Sequence, residues 1–118
     1  IIIAHSFSAK VPPETLEAKI LQDADRMEAV GALGIARTFY VGGKLNSALF
    51  DGDDPFASDR RLDDSRFAVD HFKAKLLGLA DTMQTSSGKA LARQRTEFMQ
   101  RYLHQLATEI GETNTWSG

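Results

Sequence analysis

The stretch Thr15-Leu-Glu-Ala-Lys-Ile-Leu-Gln-Asp-Ala-Asp-Arg-Met-Glu-Ala-Val-Gly-Ala-Leu-Gly-Ile-Ala-Arg37 decides the fold of this chain. Pro13, just before it, suits the first turn of a helix. Apolar residues then recur at the three- or four-residue steps of one helical face, namely Leu16, Ile20, Leu21, Ala24 and Met27. Gly31 and Gly34 weaken the helix, and Gly42-Gly43 is expected to end it. Residues 14 to about 41 therefore form either one bent helix or two helices that meet near Gly31.

The rest of the chain is also predicted to be helical, because no segment alternates polar and apolar residues as a strand does. Turn-forming residues indicate a long loop over 42–64. We predict a third helix at about 64–77, a break at 78–82, and a last helix at about 86–110 that Gly111 closes. The tail, 112–118, is expected to fray. The expected apolar face of the last helix consists of Leu91, Phe98, Tyr102, Leu106 and Ile110.

The composition excludes several classes of protein. The chain has 118 residues, enough for one domain, and a net charge of −2 without a basic cluster, which argues against binding a nucleic-acid polymer. It has no cysteine, so disulfides, thiolate metal sites and a cysteine nucleophile are excluded. No apolar run approaches the roughly 20 residues of a membrane span. We therefore predict a single cytoplasmic domain, 1–118, that binds no membrane.

Two acidic residues inside the first helix are the most informative chemically. At about 100° per residue, the side chains of Asp23 and Asp25 point about 160° apart, so a single ion is not expected to bind both. Asp23 lies within one turn of Lys19 and Arg26, which favours a solvated ion pair. Asp25 has no such cation in its own helix. A buried carboxylate must be paired or bound to a metal, which makes Asp25 the better ligand candidate.

The chain resembles a bacterial subfamily of HD-domain phosphohydrolases over nearly its whole length. Together the matching stretches are specific, although any one alone would be weak. They are Ala4-His-Ser-Phe-Ser8, Glu17-Ala-Lys-Ile20, Gln22-Asp-Ala-Asp-Arg26, Gly34-Ile-Ala-Arg37, Leu49-Phe-Asp-Gly-Asp-Asp-Pro-Phe56, Leu62-Asp-Asp64 and Asp70-His-Phe72. The resemblance implies an all-α fold, with this chain supplying the C-terminal helices of an HD-domain helical bundle.

The resemblance also implies a metal site, built in this superfamily from a His, a His-Asp doublet and a final Asp in an Ala-Asp context. Ala24-Asp25 matches that context, so the resemblance implies Asp25 as the last metal ligand. The ion would be divalent, such as Mn, Mg, Ni, Fe or Zn. His5, Arg26 and Arg37 are candidates for contacting substrate phosphate. Alternatively, His5 contacts the residues that bind the metal and does not bind the metal itself. The simpler interpretation is that His5 caps its helix and that the two arginines are surface or capping cations.

The sequence departs from the family pattern in one respect, because it contains no His-Asp dipeptide. We expect the missing ligands to belong to a region upstream of Ile1, and Ile1-Ile2-Ile3-Ala4 to be the last turn of a helix that begins there. Either an expression boundary or a true gene fragment accounts for such a start. One carboxylate does not hold a divalent ion alone. No catalytic residue is therefore assigned within this chain.

Two functions are weighed. The first is part of a metal-dependent hydrolase that acts on a phosphate ester or anhydride, with a phosphorylated small molecule or nucleotide as its ligand. The alternative is a catalytically inactive helical module that self-associates as a homodimer through the surface left by the missing helices. The upstream sequence separates the two, because a His and a later His-Asp doublet there favour the enzyme.

The remaining polar candidates have simpler explanations. His71 is expected to be a packed helix residue and His104 a surface residue. Lys44 is a further candidate for phosphate contact. The cluster Asp51, Asp53 and Asp54 lacks the EF-hand pattern, because Pro55 stands at the fifth loop position and no Glu at the twelfth. We predict that this cluster serves turn formation.

Overall fold

The computed structural model describes residues 14–112 and Trp116. Within these residues the chain folds into four α-helices, one 3-10 helix and no sheet, which confirms the all-α prediction. The α-helices are α1 (Leu16–Met27), α2 (Gly31–Lys44), α3 (Asp70–Ala74) and α4 (Ser86–Ile110), with the 3-10 helix Leu76–Thr82 between the last two.

The first two helices meet at Gly31, so the two-helix alternative is confirmed. Thr15 caps α1 by accepting a hydrogen bond from the Ala18 backbone N–H at 3.0 Å. Gly31 has a φ of +82°, a conformation that residues with side chains rarely adopt, and it allows the sharp change of direction. The predicted end at Gly42-Gly43 is too early, because α2 continues to Lys44. Gly42 is helical at the point where α2 approaches Ala68. A Cβ atom added at position 42 would lie 3.1 Å from the Cβ of Ala68, which is a tight contact.

The third predicted helix is wrong in its extent. Backbone bonds pair Ala48 with the 66–68 segment, since its N–H donates to the Arg66 carbonyl and its carbonyl accepts from Ala68, both at 2.8 Å. This pairing holds 66–68 outside any helix, so α3 starts only at Asp70. The break predicted at 78–82 is instead occupied by the 3-10 helix, which begins at Leu76.

Helix α4 has the predicted span, and Gly111 ends it with a left-handed φ of +80°. Its buried face is the predicted one only in part, because Tyr102, Leu106 and Ile110 are partly buried and pack against the core. Leu91 and Phe98 are 40% and 41% exposed, while the buried stripe lies one residue further along: Ala92, Thr96, Met99, Leu103 and Ala107. Small residues on this stripe allow α1, α2 and the 3-10 helix to pack closely against α4.

The core forms where α2, α3 and α4 meet. Phe72 is fully buried, with its ring 5.9 Å from that of Phe39 and 6.4 Å from that of Tyr102. The expectation of a frayed tail is wrong at Trp116, which packs edge-on against the buried Phe56 at 5.0 Å.

The apolar face predicted for α1 does not face this core. Leu16, Ile20 and Leu21 are 67%, 51% and 46% exposed, whereas Met27 is buried. Asp23, one turn before Met27, is turned inwards with it.

Candidate functional site

Asp23 ties α1 to the start of α4. Its side chain is buried at 4% exposure and accepts hydrogen bonds from the backbone N–H groups of Gln84 (2.7 Å) and Thr85 (2.9 Å) and from the Thr85 hydroxyl (2.7 Å). The Thr85 hydroxyl in turn accepts from the Gly88 N–H and caps α4. A solvated ion pair with Lys19 or Arg26 was expected for Asp23, and that expectation is wrong. The carboxylate instead satisfies N–H groups at the positive end of α4.

Gly88 makes this arrangement possible. A Cβ at this position would overlap the Asp23 carboxylate and crowd the Thr85 hydroxyl at 2.8 Å. The first turn of α4 thus accommodates a carboxylate from another helix because position 88 has no side chain.

Asp25 has a different environment. Its side chain is half-buried, and no described residue forms a hydrogen bond or ion pair with its carboxylate. Among the described residues, no three His, Cys, Asp or Glu side chains come together as a metal cluster. The assignment of Asp25 as a metal ligand remains a prediction, while the structure accounts for Asp23 by other contacts.

The two arginine candidates have different environments. Arg26 donates from its guanidinium to the Thr82 carbonyl at 2.8 Å and so links α1 to the end of the 3-10 helix. Arg37 makes only a 3.9 Å ion pair with Glu28, and both side chains are more than half exposed, so this pair contributes little. Their roles towards substrate stay predictions. His5 lies outside the described residues.

A cavity of about 430 Å³ lies between one face of α2 and the 64–76 segment, and we call it the α2–α3 cavity. Its α2 wall follows helical spacing, with Gly34, Thr38, Val41 and Leu45 on one face. The floor lies where Gly42 approaches Ala68. Ala29, four residues after Asp25, also lines the cavity. The charged or titratable groups along its walls are Arg37, Asp64, His71 and Lys75.

His71 is held at this cavity by a carboxylate. Its Nδ1 lies 2.9 Å from Oδ2 of Asp64, and the two side chains are 33% and 45% exposed. His71 lies in a helix, as expected, but its side chain is only partly buried and the residue lines the cavity. The spacing of seven residues to Asp64 carries no helical signal, since Asp64 precedes α3.

The acidic loop serves turn formation, as predicted. Asp54 accepts from the backbone N–H groups of Asp59 (2.9 Å) and Ser58 (2.8 Å), and these bonds lower the pKa of its carboxyl group below the ordinary 3.8. Asp51 accepts from the N–H of Asp53 at 3.1 Å. In this loop the carboxylates of Asp51 and Asp54 therefore accept hydrogen bonds from nearby backbone groups.

The partly buried Arg60 and the buried Asp70 form an ion pair that the sequence analysis missed. Asp70 is fully buried and bound by both ends of the Arg60 guanidinium, at 2.6 and 3.0 Å, and it also accepts from the Asp63 N–H at 2.7 Å. The hydrogen bonds to Asp70 and the negative charge of that carboxylate raise the pKa of Arg60. Oδ2 of Asp51 lies 2.9 Å from Nε of Arg60 at an angle unsuited to a hydrogen bond, so this contact is electrostatic. The only sequence signal was an Asp at the start of an apolar helix.

Lys44 is accounted for by a local contact, because its ammonium lies 5.4 Å from the centre of the Tyr40 ring. Among the described residues, no helix is long and apolar enough to cross a membrane.

Solved structures with this fold identify the class of protein. An HD-superfamily hydrolase from Bacillus thuringiensis matches with a TM-score of 0.70 and 36% identity, covering 82% of this chain and 47% of that one. The chain belongs to the HD-domain superfamily. No family model matches the sequence.

A Bacillus subtilis protein, the uncharacterized YpgQ, is 38% identical over 98 residues, which cover 83% of this chain and 42% of YpgQ. The crystal structure of YpgQ in complex with ADP matches with a TM-score of 0.68 and 40% identity, over 82% of this chain and 45% of that chain. The chain thus spans less than half the length of these relatives.

Proposed function

We propose that this chain is part of a metal-dependent phosphohydrolase that acts on a phosphate ester or anhydride, with a nucleotide as the substrate class. The similarity to an HD-superfamily hydrolase supports the hydrolase class, and the ADP complex of YpgQ supports a nucleotide. The observation that carries the proposal is the contrast within α1, where Asp23 is fully used by the fold and Asp25 is not.

Asp25 is proposed to supply one oxygen ligand to a divalent cation. Its carboxylate fits this role, because it is half-exposed and has no partner among the described residues that would compete for its charge. Carboxylate oxygens suit Mg and Mn and are also ligands of Zn and Fe. A bound ion activates water and offsets charge on a phosphoryl group.

Arg37 and His5 are proposed to contact the substrate. Arg37 lines the α2–α3 cavity and is held only by a weak, exposed ion pair, so its planar guanidinium is available to phosphate. His5 is proposed on the family resemblance alone. Arg26 is proposed mainly to position α1, because it holds the Thr82 carbonyl.

The test is nucleotide hydrolysis by the complete gene product, with phosphate or pyrophosphate release followed after addition of Mn or Mg. We expect turnover that a chelator removes and that Asp25→Asn lowers by about 100-fold or more, since loss of a metal ligand removes the ion that activates water. Asp53→Asn, in the acidic loop, is the matched control and should leave turnover unchanged. Full activity of Asp25→Asn would exclude it as a ligand.

Self-association is the second candidate, and the outer faces of α1 and α2 favour it. Ile20 and Leu16 on α1 and Leu33 and Tyr40 on α2 are each more than half exposed. Exposed apolar area of this kind is a feature of interfaces. We propose a second copy of the protein as the occupant. Sedimentation of the 118-residue chain should show a dimer that Ile20→Glu dissociates, and a monomer at all concentrations would exclude it.

A further inference from the structure

The α2–α3 cavity combines apolar surface with polar groups from both walls, the usual composition of a small-molecule site. Val41, Leu45 and Leu76 supply apolar surface, and Gly34 and Gly42 also line the cavity. A volume of about 430 Å³ is within the range of ligand pockets.

The charges at the cavity favour an anion. Arg37 and Lys75 are cationic, and among the described residues that line the cavity Asp64 is the one carboxylate. That carboxylate is engaged by Nδ1 of His71 at 2.9 Å, so part of its charge is already offset inside the cavity.

The His71–Asp64 contact also fixes which ring nitrogen is available to a ligand. Because Nδ1 binds Asp64, the tautomer that donates from Nδ1 leaves Nε2 as the free ring nitrogen, and protonation makes Nε2 a donor. No described residue forms a hydrogen bond with Nε2. A carboxylate that orients a histidine in this way is a recurring feature of sites where imidazole contacts a ligand.

We propose that the α2–α3 cavity binds a phosphorylated ligand, with Nε2 of His71 and the Arg37 guanidinium contacting its phosphate and the apolar walls enclosing the remainder. Asp64 is a positioning residue that acts through His71. The inference deepens the proposed function and rests on it for the choice of a nucleotide as the ligand. It does not require the metal.

The experiment is calorimetric titration of the complete gene product with ADP in the presence of a chelator. Arg37→Gln should weaken ADP binding by about tenfold or more, the loss expected for a charge-assisted contact. Arg93→Gln, an exposed arginine on α4, is the matched control and should leave affinity within about twofold.

His71→Asn separates a ligand role from a structural one. The Asn amide can still donate to Asp64 from the place of Nδ1 but has nothing at the place of Nε2. If the pair only braces the fold, His71→Asn binds ADP like the wild type, and this result overturns the role of His71. The proposal expects weakening of about tenfold or more with unchanged thermal stability.

Two further arms identify the recognised chemistry. Inorganic phosphate should bind more weakly than ADP but with the same dependence on Arg37, and adenosine that binds as tightly as ADP would overturn phosphate recognition. No binding of ADP in chelator, with binding restored by Mn and lost in Asp25→Ala, would overturn the cavity proposal and support the metal site. Suppose instead that ADP binds in chelator in a way that depends on Arg37, and that Asp25→Ala leaves the metal content unchanged. This result would support the cavity proposal and overturn the assignment of Asp25 to the metal site.

Discussion

Replacing Asp23 by Ala tests whether this carboxylate stabilises the fold rather than binding metal. The substitution removes three hydrogen bonds, from the Gln84 N–H, the Thr85 N–H and the Thr85 hydroxyl, all between 2.7 and 2.9 Å. A hydrogen bond to a charged group contributes about 1.5–3 kcal/mol, but water and relaxation recover part of the sum. A buried donor left without an acceptor costs about 1–3 kcal/mol, and we expect a total loss of about 3–5 kcal/mol for the three donors. Such a loss is a large part of the roughly 5–15 kcal/mol that stabilises a domain.

The assay is urea unfolding of the complete gene product followed by circular dichroism, with a chelator present so that metal binding adds no stability. Asp23→Asn keeps one acceptor oxygen and should lose roughly half as much, which provides a measurable variant if Asp23→Ala does not fold. Asp25→Ala is the matched control and should stay within about 0.5 kcal/mol, because its side chain has no partner among the described residues. Equal losses for Asp23→Ala and Asp25→Ala would refute the division of roles within α1.

Three further outcomes follow from the geometry. Gly88→Ala should destabilise the protein, although Gly to Ala in a helix usually stabilises it by about 1 kcal/mol, because the new Cβ overlaps the Asp23 carboxylate; a raised melting temperature would contradict this. Asp70→Ala should cost about 3 kcal/mol in urea unfolding by leaving the partly buried guanidinium of Arg60 without its bidentate partner, and a loss under about 1 kcal/mol would contradict it. Titration followed by NMR should give Asp54 a pKa below 3.8, since two backbone N–H groups donate to its carboxylate. The Asp54 carboxylate then stabilises the fold at pH values above its unfolded pKa, and this stabilisation is lost as the pH falls through its folded pKa. A measured pKa at or above 3.8 would contradict the prediction.

Local backbone chemistry was predictable from the sequence. Gly31 separates two helices because its positive φ suits glycine, and Gly111 ends α4 for the same reason. The helix that follows Thr85 was likewise visible in composition and spacing. These features depend on residues close together in the chain.

The buried faces were less predictable. Large apolar residues such as Leu91 and Phe98 indicated one side of α4, but the core is built on a stripe that includes small residues such as Ala92 and Ala107. Close packing favours small side chains where helices approach, and hydrophobic size alone does not show this. Similarly, Phe67 was assigned to a helix, whereas backbone pairing with Ala48 makes it part of a bridge.

The functional contacts that were missed are those between residues distant in sequence. Asp23 binds groups 61 and 62 residues away, so its nearer cations, Lys19 and Arg26, were misleading. The contact between His71 and Asp64 crosses from a loop into α3 and follows no helical spacing. Asp25 was distinguished from Asp23 because no cation lies one helical turn from Asp25, and the structure adds that Asp23 is engaged elsewhere.

The most direct test of the central claim is the metal content of the complete gene product, measured by elemental analysis after purification without chelator. Wild-type protein and Asp53→Ala should retain a divalent metal, about one ion per chain if the site holds a single ion. Asp25→Ala should lose the bound metal. Its urea unfolding midpoint, measured in the presence of chelator, should equal that of the wild type. Metal content in Asp25→Ala equal to that of the wild type would contradict the assignment of Asp25 as a ligand.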